Sequence, residues 1–271
     1  MTDQEKEKLT KLQNFFADAG KAAVAFSGGV DSTFLVKVAH DVLGNKMIAV
    51  TLVAKSFPAR ERNDATQFCR NEGIPQLEIE YDELSIPGFA ENPVDRCYIC
   101  KKELFSKIKK AAAERGIFVI CEGSNMDDTG DYRPGLKAIK EMDIKSPLQI
   151  AGLTKQEIRN ISKDYNLPTW DKPSLACLAT RFVYGETITK EKLEMVGKAE
   201  QLLVDLGFKQ MRVRLHGTMA RIELLPQDFE RFMKDDVRIR IAAEFKSFGF
   251  SYVTLDIQGF RSGSMNENRK K

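Results

Sequence analysis

The segment AAVAFSGGVDSTFLVKVAHDVLG, residues 22–44, places the strongest constraint on the fold of this chain. A short apolar run at 22–26 precedes a glycine pair, and a helical pattern follows until Gly44. Short, continuously apolar strands are typical of parallel sheets buried on both faces, and such sheets bind ligands where their strands end. The segment therefore predicts a strand–loop–helix unit with an anion-binding site at the turn.

The loop SGGVDS is suited to a pyrophosphate group. Gly28 and Gly29 let the backbone turn tightly and approach an anion, while Ser27 and Ser32 supply hydroxyl donors. The helix that follows presents free N–H groups and the positive end of its dipole. A Walker loop is excluded because no Gly-Lys-Ser/Thr follows. An ordinary glycine turn is the simplest alternative, but it gives no reason for both serines and the aspartate in this setting.

Strand and helix patterns alternate along the first two-thirds of the chain. Predicted strands lie at 47–53, 76–84, 118–123 and 146–152. Predicted helices lie at 3–18, 60–73 and 101–114. Thr154 and Glu157 predict a capping box at the start of one more helix. This alternation predicts an α/β fold with a doubly wound, mostly parallel sheet.

The pattern changes after about residue 186. A helix, a hairpin turning at 216–217, a second helix over 228–249 and a final strand predict a β-β-α-β unit. We therefore predict two domains. Residues 1–185 form the α/β domain with the phosphate loop, and residues 186–271 form a smaller C-terminal α+β domain.

Two further segments of the first domain fit the same ligand site. EGSN follows the strand at 118–123, and Gly123 within it lets a nucleoside approach the backbone. DYRPG places Arg133 on a loop that we expect to face the nucleotide. By itself DYRPG fits a solvated turn rich in Asp and Gly equally well.

Composition excludes several classes of function. Lys and Arg number 42 and Asp and Glu 39, so the formal net charge of +3 predicts no stable nucleic-acid partner. No run approaches the roughly 18 apolar residues of a membrane span. The charged, amphipathic start lacks the apolar core of a signal peptide. We expect a cytoplasmic protein without membrane association, whose five cysteines are reduced.

Three of the cysteines form a candidate set. Cys97 and Cys100 are a Cys-x-x-Cys pair, and Cys177 follows about eighty residues later in KPSLACLATRF. Cys69 in a helical pattern and Cys121 in an apolar strand are typical of small core residues. The set of three is therefore the group whose chemistry has to be explained.

A [4Fe–4S] cluster bound at three of its irons suits three thiolates best, because the fourth iron stays open to an exogenous ligand such as sulfide. A structural zinc ion needs a fourth ligand, and His40 and His216 have no obvious reason to converge on the thiols. A redox disulfide leaves Cys177 unexplained. Zinc and persulfide or disulfide chemistry remain open alternatives.

SGGVDS resembles the signature of the PP-loop ATP pyrophosphatases. Nearly the whole chain is similar to the LarE family of ATP-dependent sulfur transferases, which help make a nickel-pincer nucleotide cofactor. The resemblance rests on the segments FSGGVDST, NPVDRCYICKKELF, EGSNMDDTGDYRPG, KPSLACLATRFVYGETIT, MRVRLHGTMARIEL and YVTLDIQGFRSGSMN. It implies a PP-loop sheet of the adenine nucleotide alpha hydrolase-like type.

The resemblance also implies a reaction. LarE proteins adenylate a carboxylate of a pyridinium dicarboxylate mononucleotide, and sulfur then displaces AMP to give a thiocarboxylate. The implied cofactors are ATP and Mg²⁺, with Asp31 positioning the metal, and sulfide or another sulfur donor is the implied partner. Some members sacrifice the sulfur of one cysteine. Others hold a [4Fe–4S] cluster, and the pattern of Cys97, Cys100 and Cys177 implies that second type.

The small-molecule nucleotide substrate carries a phosphate that needs cationic partners. Arg212 and Arg214 alternate along a predicted strand, so both guanidinium groups lie on one face, where bidentate contacts to a phosphate are favourable. Thr180 and Arg181, just after Cys177, are expected to complete this pocket. The simpler interpretation of alternating arginines is a solvated face of the strand.

Relatives in the family assemble into hexamers, so the resemblance implies a homo-oligomer. Glu200 and Glu223 fall where these relatives have acidic residues at a subunit interface, although a plain surface role is at least as good an interpretation.

Two other functions share parts of the pattern. A tRNA-thiolating enzyme also combines a PP-loop with cysteines, but it would need a basic surface or an RNA-binding domain. Ammonia-dependent ligation needs no cysteine triad.

Overall fold

The computed structural model describes residues 1–130, 134–173 and 176–266. The chain divides into two compact units. The first comprises Met1–Ile86 with Asp95–Leu175, and the second comprises Pro87–Val94 with Ala176–Lys271. The predicted boundary lay between residues 185 and 186, whereas the contacts group 176–185 and the short segment 87–94 with the second unit.

The first unit contains a parallel four-stranded sheet, as predicted. Its strands are β1 (Ala22–Ala25), β2 (Met47–Val53), β3 (Gln76–Glu80) and β4 (Ile120–Cys121). Their order in the sheet is β3-β2-β1-β4, and every neighbouring pair is parallel. The chain moves outward from β1 to β3 and then returns to the other side of β1. The strand order therefore reverses between β1 and β4, the kind of position where parallel sheets bind ligands.

Helices cover both faces of this sheet, so the doubly wound architecture is confirmed. The helices of the first unit are α1 (Asp3–Ala19), α2 (Val30–Leu43), α3 (Ala59–Glu72), α4 (Arg96–Ala113), α5 (Pro134–Glu141), α6 (Pro147–Ile150) and α7 (Lys155–Asp164). Successive residues of β1 belong to different cores. Ala22 and Val24 pack with α1, α2 and α7, while Ala23 packs with α4 and α5 on the opposite face. This alternation follows from the two-residue period of a strand.

Three local predictions for the first unit were wrong. Helix α4 begins at Arg96 and not at residue 101, so the cysteine pair lies inside the helix. The predicted strand at 146–152 contains helix α6, and Pro134 and Gly135, which were assigned to the DYRPG loop, begin helix α5. Both of these helices begin with a proline, whose fixed φ is already helical and whose missing N–H has no partner to lose at a first helical position.

The second unit contains the predicted small α+β arrangement. Its elements are α8 (Lys190–Asp205), β5 (Met211–His216), β6 (Met219–Leu224), α9 (Phe229–Phe232), α10 (Asp235–Phe248) and β7 (Tyr252–Leu255). Strands β5 and β6 form the predicted antiparallel hairpin, and β7 is parallel to β6. The predicted helix at 228–249 is divided into α9 and α10.

None of the helices in the described part of the chain is both long enough and apolar enough to cross a membrane.

The predicted capping box of α7 is confirmed. The Thr154 hydroxyl accepts a hydrogen bond from the Glu157 backbone N–H at 3.3 Å, and the Glu157 carboxylate accepts one from the Thr154 N–H at 2.8 Å. The box satisfies amide donors that the first turn of a helix leaves without partners.

Replacing Thr154 with alanine should lower the free energy of unfolding by about 1 kcal/mol, because the cap of α7 is lost. Urea denaturation followed by circular dichroism measures this change. Thr10→Ala is the control, since the Thr10 hydroxyl bonds only the carbonyl of Lys6 on an exposed face of α1. An equal loss in both variants would contradict the role of the cap.

Candidate functional site

A cavity of about 290 Å³ opens at the carboxyl end of the parallel sheet in the first unit. The phosphate loop and the start of α2 form one side of it, and the segment that follows β4 forms another. Residues of α3, α4 and α7 complete the lining. The cavity therefore lies where the strand order reverses. Two segments that were predicted to form the ligand site, SGGVDS and EGSN, both line it.

The phosphate loop owes its turn to Gly28. The φ angle of Gly28 is +73°, and a Cβ atom there would lie 3.1 Å from the Glu61 carbonyl oxygen. Gly29 has an ordinary φ of −81°, and a Cβ on it would make no close contact. Gly28 is thus required by the protein's own packing. The absence of a side chain at Gly29 matters instead for what can approach the loop.

The two serines hold the loop closed. The Ser32 hydroxyl accepts a hydrogen bond from the Ser27 N–H at 3.3 Å and lies 3.1 Å from the Ser27 hydroxyl. It also donates to the Gly29 carbonyl at 3.2 Å. Both serines line the cavity, so their hydroxyl groups are within reach of a bound anion.

Gly123 brings the end of β4 against the first turn of α2. A Cβ atom on Gly123 would lie 3.2 Å from the Ser32 backbone nitrogen and 3.4 Å from the Asp31 Cβ. The structure therefore gives Gly123 a packing role in addition to the predicted approach of a nucleoside. Arg133, the other residue predicted for this site, lies outside the described residues.

Asp31 lines the cavity and has a partner on each carboxylate oxygen. Its Oδ1 accepts a hydrogen bond from the Asn125 amide at 3.2 Å, and its Oδ2 accepts one from the Lys155 ammonium at 2.5 Å. Lys155 was not identified from the sequence. The only local signal is its place at the first position of a capped helix, and its 124-residue separation from Asp31 hides the contact.

Glu122 is a second carboxylate of the cavity that was not identified from the sequence. It is buried in the cavity wall at the end of β4. It accepts hydrogen bonds from the Ser124 N–H at 3.0 Å, the Ser124 hydroxyl at 2.8 Å and the Ser146 hydroxyl at 2.5 Å. Three donors satisfy its oxygens, so it shapes the EGSN loop.

Part of the cavity wall is apolar. Its members come from β2, the segment after it and α4, and they include Val50, Leu52, Phe57, Leu104, Phe105 and Ile108. An apolar wall beside an anion-binding loop matches a ligand with a flat aromatic base at one end and phosphates at the other.

Helix α4 carries the cysteine pair and also part of the cavity wall. Cys97 and Cys100 are half-buried near its start, and Lys101 and Leu104 line the cavity one turn further on. The Tyr81 hydroxyl donates to the Cys100 carbonyl at 2.9 Å and lies 3.5 Å from the Cys100 Sγ. Burial raises the pKa of Tyr81, and Cys100 adds to the effect, so the phenol stays protonated as a donor.

The Arg96 guanidinium lies 3.8 Å from the Cys97 Sγ. Each sulfur of the pair therefore has a polar side chain nearby, Arg96 beside Cys97 and Tyr81 beside Cys100. Neither Tyr81 nor Arg96 was identified from the sequence. The arginine precedes the pair directly, and that adjacency was the available signal.

Cys177 belongs to the second unit, where it precedes a short helical turn at 178–181. Its carbonyl accepts hydrogen bonds from the Thr180 N–H and hydroxyl at 3.0 and 2.8 Å. Within 1–130, 134–173 and 176–266, no three His, Cys, Asp or Glu side chains are grouped so as to hold a metal ion. The three-cysteine ligand set therefore remains a prediction.

The prediction that the other two cysteines belong to the core is confirmed. Cys69 and Cys121 are buried in the core of the first unit. Burial raises the pKa of Cys69 to about 12, so this thiol stays protonated and inert.

The second unit contains a buried cluster of arginines and glutamates. Arg212 and Arg214 are each only 5% exposed, so the interpretation of β5 as a solvated arginine face is wrong. Arg181 is also buried, and it makes two hydrogen bonds to the Glu200 carboxylate at 2.8 and 3.0 Å. Arg214 donates to Glu223 at 3.0 Å. The surface interpretation of both glutamates is therefore wrong as well.

Arg221 joins this cluster by pairing with Glu223 at 3.1 Å and with Asp256 at 2.8 Å. Four arginines therefore face three carboxylates, and positive charge is in excess. Burial is the main cause that lowers the pKa of Arg212 to about 10, and the positive charge of Arg181 adds to the effect. The guanidinium of Arg212 stacks on the Phe260 ring at 5.1 Å. The buried Nε of Arg214 has no hydrogen-bond partner within the part of the chain that the structure describes. An anion placed here would gain a donor and balance the excess charge.

Three features of the first unit define a PP-loop ATP pyrophosphatase domain. They are the parallel sheet, the SGGVDS loop where the strand order reverses, and the cavity with an apolar wall beside that loop. Comparison with protein families agrees, since residues 7–108 match the NAD synthase family. An uncharacterized protein of Synechocystis sp. is 43% identical over 96% of this chain and 97% of its own length. An uncharacterized protein of Methanocaldococcus jannaschii is 27% identical over 94% of this chain and 98% of its own.

The most informative relative is the pyridinium-3,5-bisthiocarboxylic acid mononucleotide synthase of Lactiplantibacillus plantarum. It is 37% identical over 97% of this chain and 95% of its own length. The chain belongs to the family of this synthase, the LarE family of sulfur-transferring enzymes, as the sequence motifs indicated.

Gly28→Ala should lower the free energy of unfolding by about 1 kcal/mol or more, because it adds a close contact to an unfavourable φ. The loop should also shift and bind nucleotide more weakly. Equilibrium dialysis with ATP measures this loss of affinity. Gly20→Ala is the control, since Gly20 has a φ of +65° with no atom within 4 Å of a built Cβ. If both variants bind ATP with the same reduced affinity, the packing argument is wrong.

Glu200→Gln should destabilise the second unit by about 3–5 kcal/mol, because it leaves the Arg181 charge buried without its partner. Burial by itself would raise the pKa of Glu200, but the nearby Arg181 lowers it overall. Thermal unfolding at neutral pH measures the loss. Glu194→Gln on the same helix removes only an exposed pair with Lys190 and should change little. Equal effects would refute the buried-pair assignment.

Proposed function

We propose that this protein is an ATP-dependent sulfur transferase that acts on pyridinium-3,5-dicarboxylate mononucleotide. It converts a carboxylate of this substrate to an adenylate and then to a thiocarboxylate. The observation that carries the proposal is helix α4, which bears the cysteine pair on one turn and lines the nucleotide cavity with the next. The membership of the chain in the LarE family supports the same chemistry.

The first step activates the carboxylate. One of its oxygens attacks the α-phosphorus of ATP, and the bond from that phosphorus to the bridging oxygen breaks to release pyrophosphate. Free N–H groups of the SGGVDS loop and of the first turn of α2 stabilise the phosphate charge. Activation is needed because a carboxylate carbon is electron-rich and oxide is a very poor leaving group.

Asp31 is the residue that would hold Mg²⁺. Carboxylate oxygens are the ligands this ion prefers, and Asp31 lines the cavity beside the phosphate loop. Asp128, also in the lining, is a second carboxylate within the same cavity. When bound, Mg²⁺ would neutralise charge on the triphosphate.

The second step replaces AMP with sulfur. A sulfur nucleophile attacks the adenylate carbon, the new C–S bond forms, and the C–O bond to AMP breaks. Helix α4 keeps the thiols of Cys97 and Cys100 close to the nucleotide cavity, so that reactants share one site. The Arg96 guanidinium lies 3.8 Å from the Cys97 Sγ, and the Tyr81 hydroxyl lies 3.5 Å from the Cys100 Sγ.

A [4Fe–4S] cluster held by Cys97, Cys100 and Cys177 suits this donor set. Two of the thiols lie one helical turn apart and half-buried, and thiolates are the usual ligands of such clusters. When bound, the cluster would supply a sulfide from its open iron. A persulfide, or the sacrifice of the Cys177 sulfur, is the alternative source.

The buried arginines of the second unit are the proposed site for the substrate phosphate. Arg212 and Arg214 lie on one face of β5, and Arg181 and Thr180 lie in the adjoining turn. The excess positive charge and the Nε of Arg214 support an anion here. Arginine is well suited to bidentate phosphate contacts.

Assembly and location follow from the same proposal. We expect a homo-oligomer, with a hexamer as the family state, and contacts made by the second unit. Large apolar side chains exposed on that unit include Met233, Ile239, Tyr252 and Ile257. Reduced thiols are needed for this chemistry, which fits the cytoplasm. Sulfide or a sulfur-donating protein is the expected partner.

The test is an anaerobic assay with ATP, Mg²⁺, sulfide and the dicarboxylate mononucleotide. Pyrophosphate is measured enzymatically, and the mass of the product is determined by mass spectrometry. Wild type should release pyrophosphate and form the thiocarboxylate. Cys97→Ala, Cys100→Ala and Cys177→Ala should release pyrophosphate but lose the sulfur product. Cys69→Ala, in the core, is the matched control and should keep it.

Two results would overturn parts of the proposal. Absence of substrate-dependent pyrophosphate release would reject adenylation altogether. Full sulfur transfer by all three cysteine variants would reject their role. Iron and acid-labile sulfide analysis then separates the sulfur sources. About four irons per chain, lost in Cys177→Ala, indicate the cluster. No iron, with Cys177 lighter by one H₂S after turnover, indicates sacrifice. Salt-sensitive tRNA binding with thiolation of the RNA would favour the tRNA enzyme instead.

A further inference from the structure

The Lys172 ammonium contacts the phosphate loop from a segment 144 residues further along the chain. It donates to the Gly28 carbonyl at 3.3 Å and to the Asp64 carboxylate at 3.2 Å, and it lies 2.7 Å from the Glu61 carboxylate. An ammonium has three N–H donors, so these three partners use all of them. Among the described residues, Pro173 lines the nucleotide cavity and Lys172 does not. Lys172 therefore holds the loop from behind.

The backbone of Lys172 is fixed by helix α7. Arg159 on this helix donates to the Trp170 carbonyl at 2.7 Å and to the Lys172 carbonyl at 2.8 Å. The Lys172 N–H donates to the Thr169 carbonyl at 3.0 Å, which closes a turn. The Lys172 side chain is only 16% exposed. The ammonium therefore extends to the phosphate loop from an anchored turn and is itself held in place.

The peptide between Gly28 and Gly29 needs a constraint of this kind. Neither residue has a Cβ atom, so the plane of this peptide can rotate at little steric cost. In a trans peptide the C=O and the N–H point in opposite directions. When Lys172 holds the Gly28 carbonyl on one side, the Gly29 N–H is directed to the other.

The direction of the Gly29 N–H matters because of where Gly29 lies. It is the N-cap residue of α2, and the first N–H groups of a helix have no partner within the helix. Gly29 lines the nucleotide cavity, whereas Gly28 is not among the described lining residues. If this peptide were rotated, its carbonyl oxygen would face the cavity and repel a phosphate. A fixed peptide keeps a donor there instead.

We propose that Lys172 is a positioning residue that orients the Gly28–Gly29 peptide, so that the Gly29 N–H is preorganised to bind the pyrophosphoryl part of the nucleotide. Glu61 and Asp64 hold the ammonium against the Gly28 carbonyl, and Lys172 itself does not contact phosphate. A donor that is already oriented stabilises phosphate charge without rearrangement during the reaction. This inference rests on the nucleotide half of the proposed function and is independent of the source of sulfur.

The test compares two ligands without turnover. Lys172→Met should bind inorganic pyrophosphate with Mg²⁺ about tenfold more weakly by calorimetry, because one oriented donor is lost. Adenosine has no phosphate and should keep its affinity in equilibrium dialysis. Lys172→Arg, which can still donate to the Gly28 carbonyl, should restore most of the pyrophosphate affinity. Equal weakening of both ligands by Lys172→Met would show a merely structural role and refute the proposal.

A double variant separates orientation from charge. Glu61 is a buried carboxylate of the cavity wall, so Lys172→Met also leaves a negative charge near the phosphates. Adding Glu61→Gln to Lys172→Met removes both charges of the pair and keeps the net charge of wild type. Pyrophosphate binding should stay weak in the double variant, because the Gly28 carbonyl is still not held. Full recovery would show that Lys172 only neutralises Glu61, and it would refute the positioning role.

Lys8→Met is the matched control. The Lys8 side chain is 17% exposed and pairs with Glu157 at 2.7 Å, but its ammonium donates only to this carboxylate. This variant should change neither affinity. If Lys172→Met binds pyrophosphate as wild type does, the positioning role is refuted while the proposed function stands. If wild type binds neither adenosine nor pyrophosphate, the nucleotide site and the positioning role both fail.

Discussion

The close contact between the end of β4 and the first turn of α2 is the constraint on which the rest of the site depends. A Cβ atom on Gly123 would lie 3.2 Å from the Ser32 backbone nitrogen, so a side chain here would require the two segments to shift by a few tenths of an ångström. This contact brings the EGSN loop beside the SGGVDS loop at the point where the strand order reverses. Asn125 can then bond Asp31, and the cavity has two polar sides.

In the proposed function, helix α4 gives the site its chemistry. An ATP-binding cavity by itself supports any adenylation, and the LarE family is distinguished by what reaches the adenylate next. Cys97 and Cys100 lie one turn before the residues of α4 that line the cavity, so a rigid element sets their separation from the nucleotide. Tyr81 and Arg96 place donors near the two sulfurs. A helix positions such groups more accurately than a loop would.

Stability by itself does not explain the buried charges of the second unit, which supports the proposal that they bind an anion. Removing Arg181, Arg214, Glu200 and Glu223 from water costs free energy that their ion pairs offset only in part. Apolar residues of similar size would fill the same space at lower cost. Retaining four arginines against three carboxylates keeps a preorganised excess of positive charge, which the substrate phosphate that we propose to bind here would balance.

Elements with local signals could be predicted from the sequence. The apolar run and SGGVDS define β1, the phosphate loop and α2, and Thr154 with Glu157 defines the start of α7. The alternation of Arg212 and Arg214 fixed their common face, because a strand has a two-residue period. What packs over these arginines depends on the tertiary structure and could not be predicted from the sequence. The burial of β5, the pair of Lys155 with Asp31 and the pair of Arg181 with Glu200 join residues far apart in the chain. Periodicity describes the faces of an element, whereas burial and pairing depend on what packs against them.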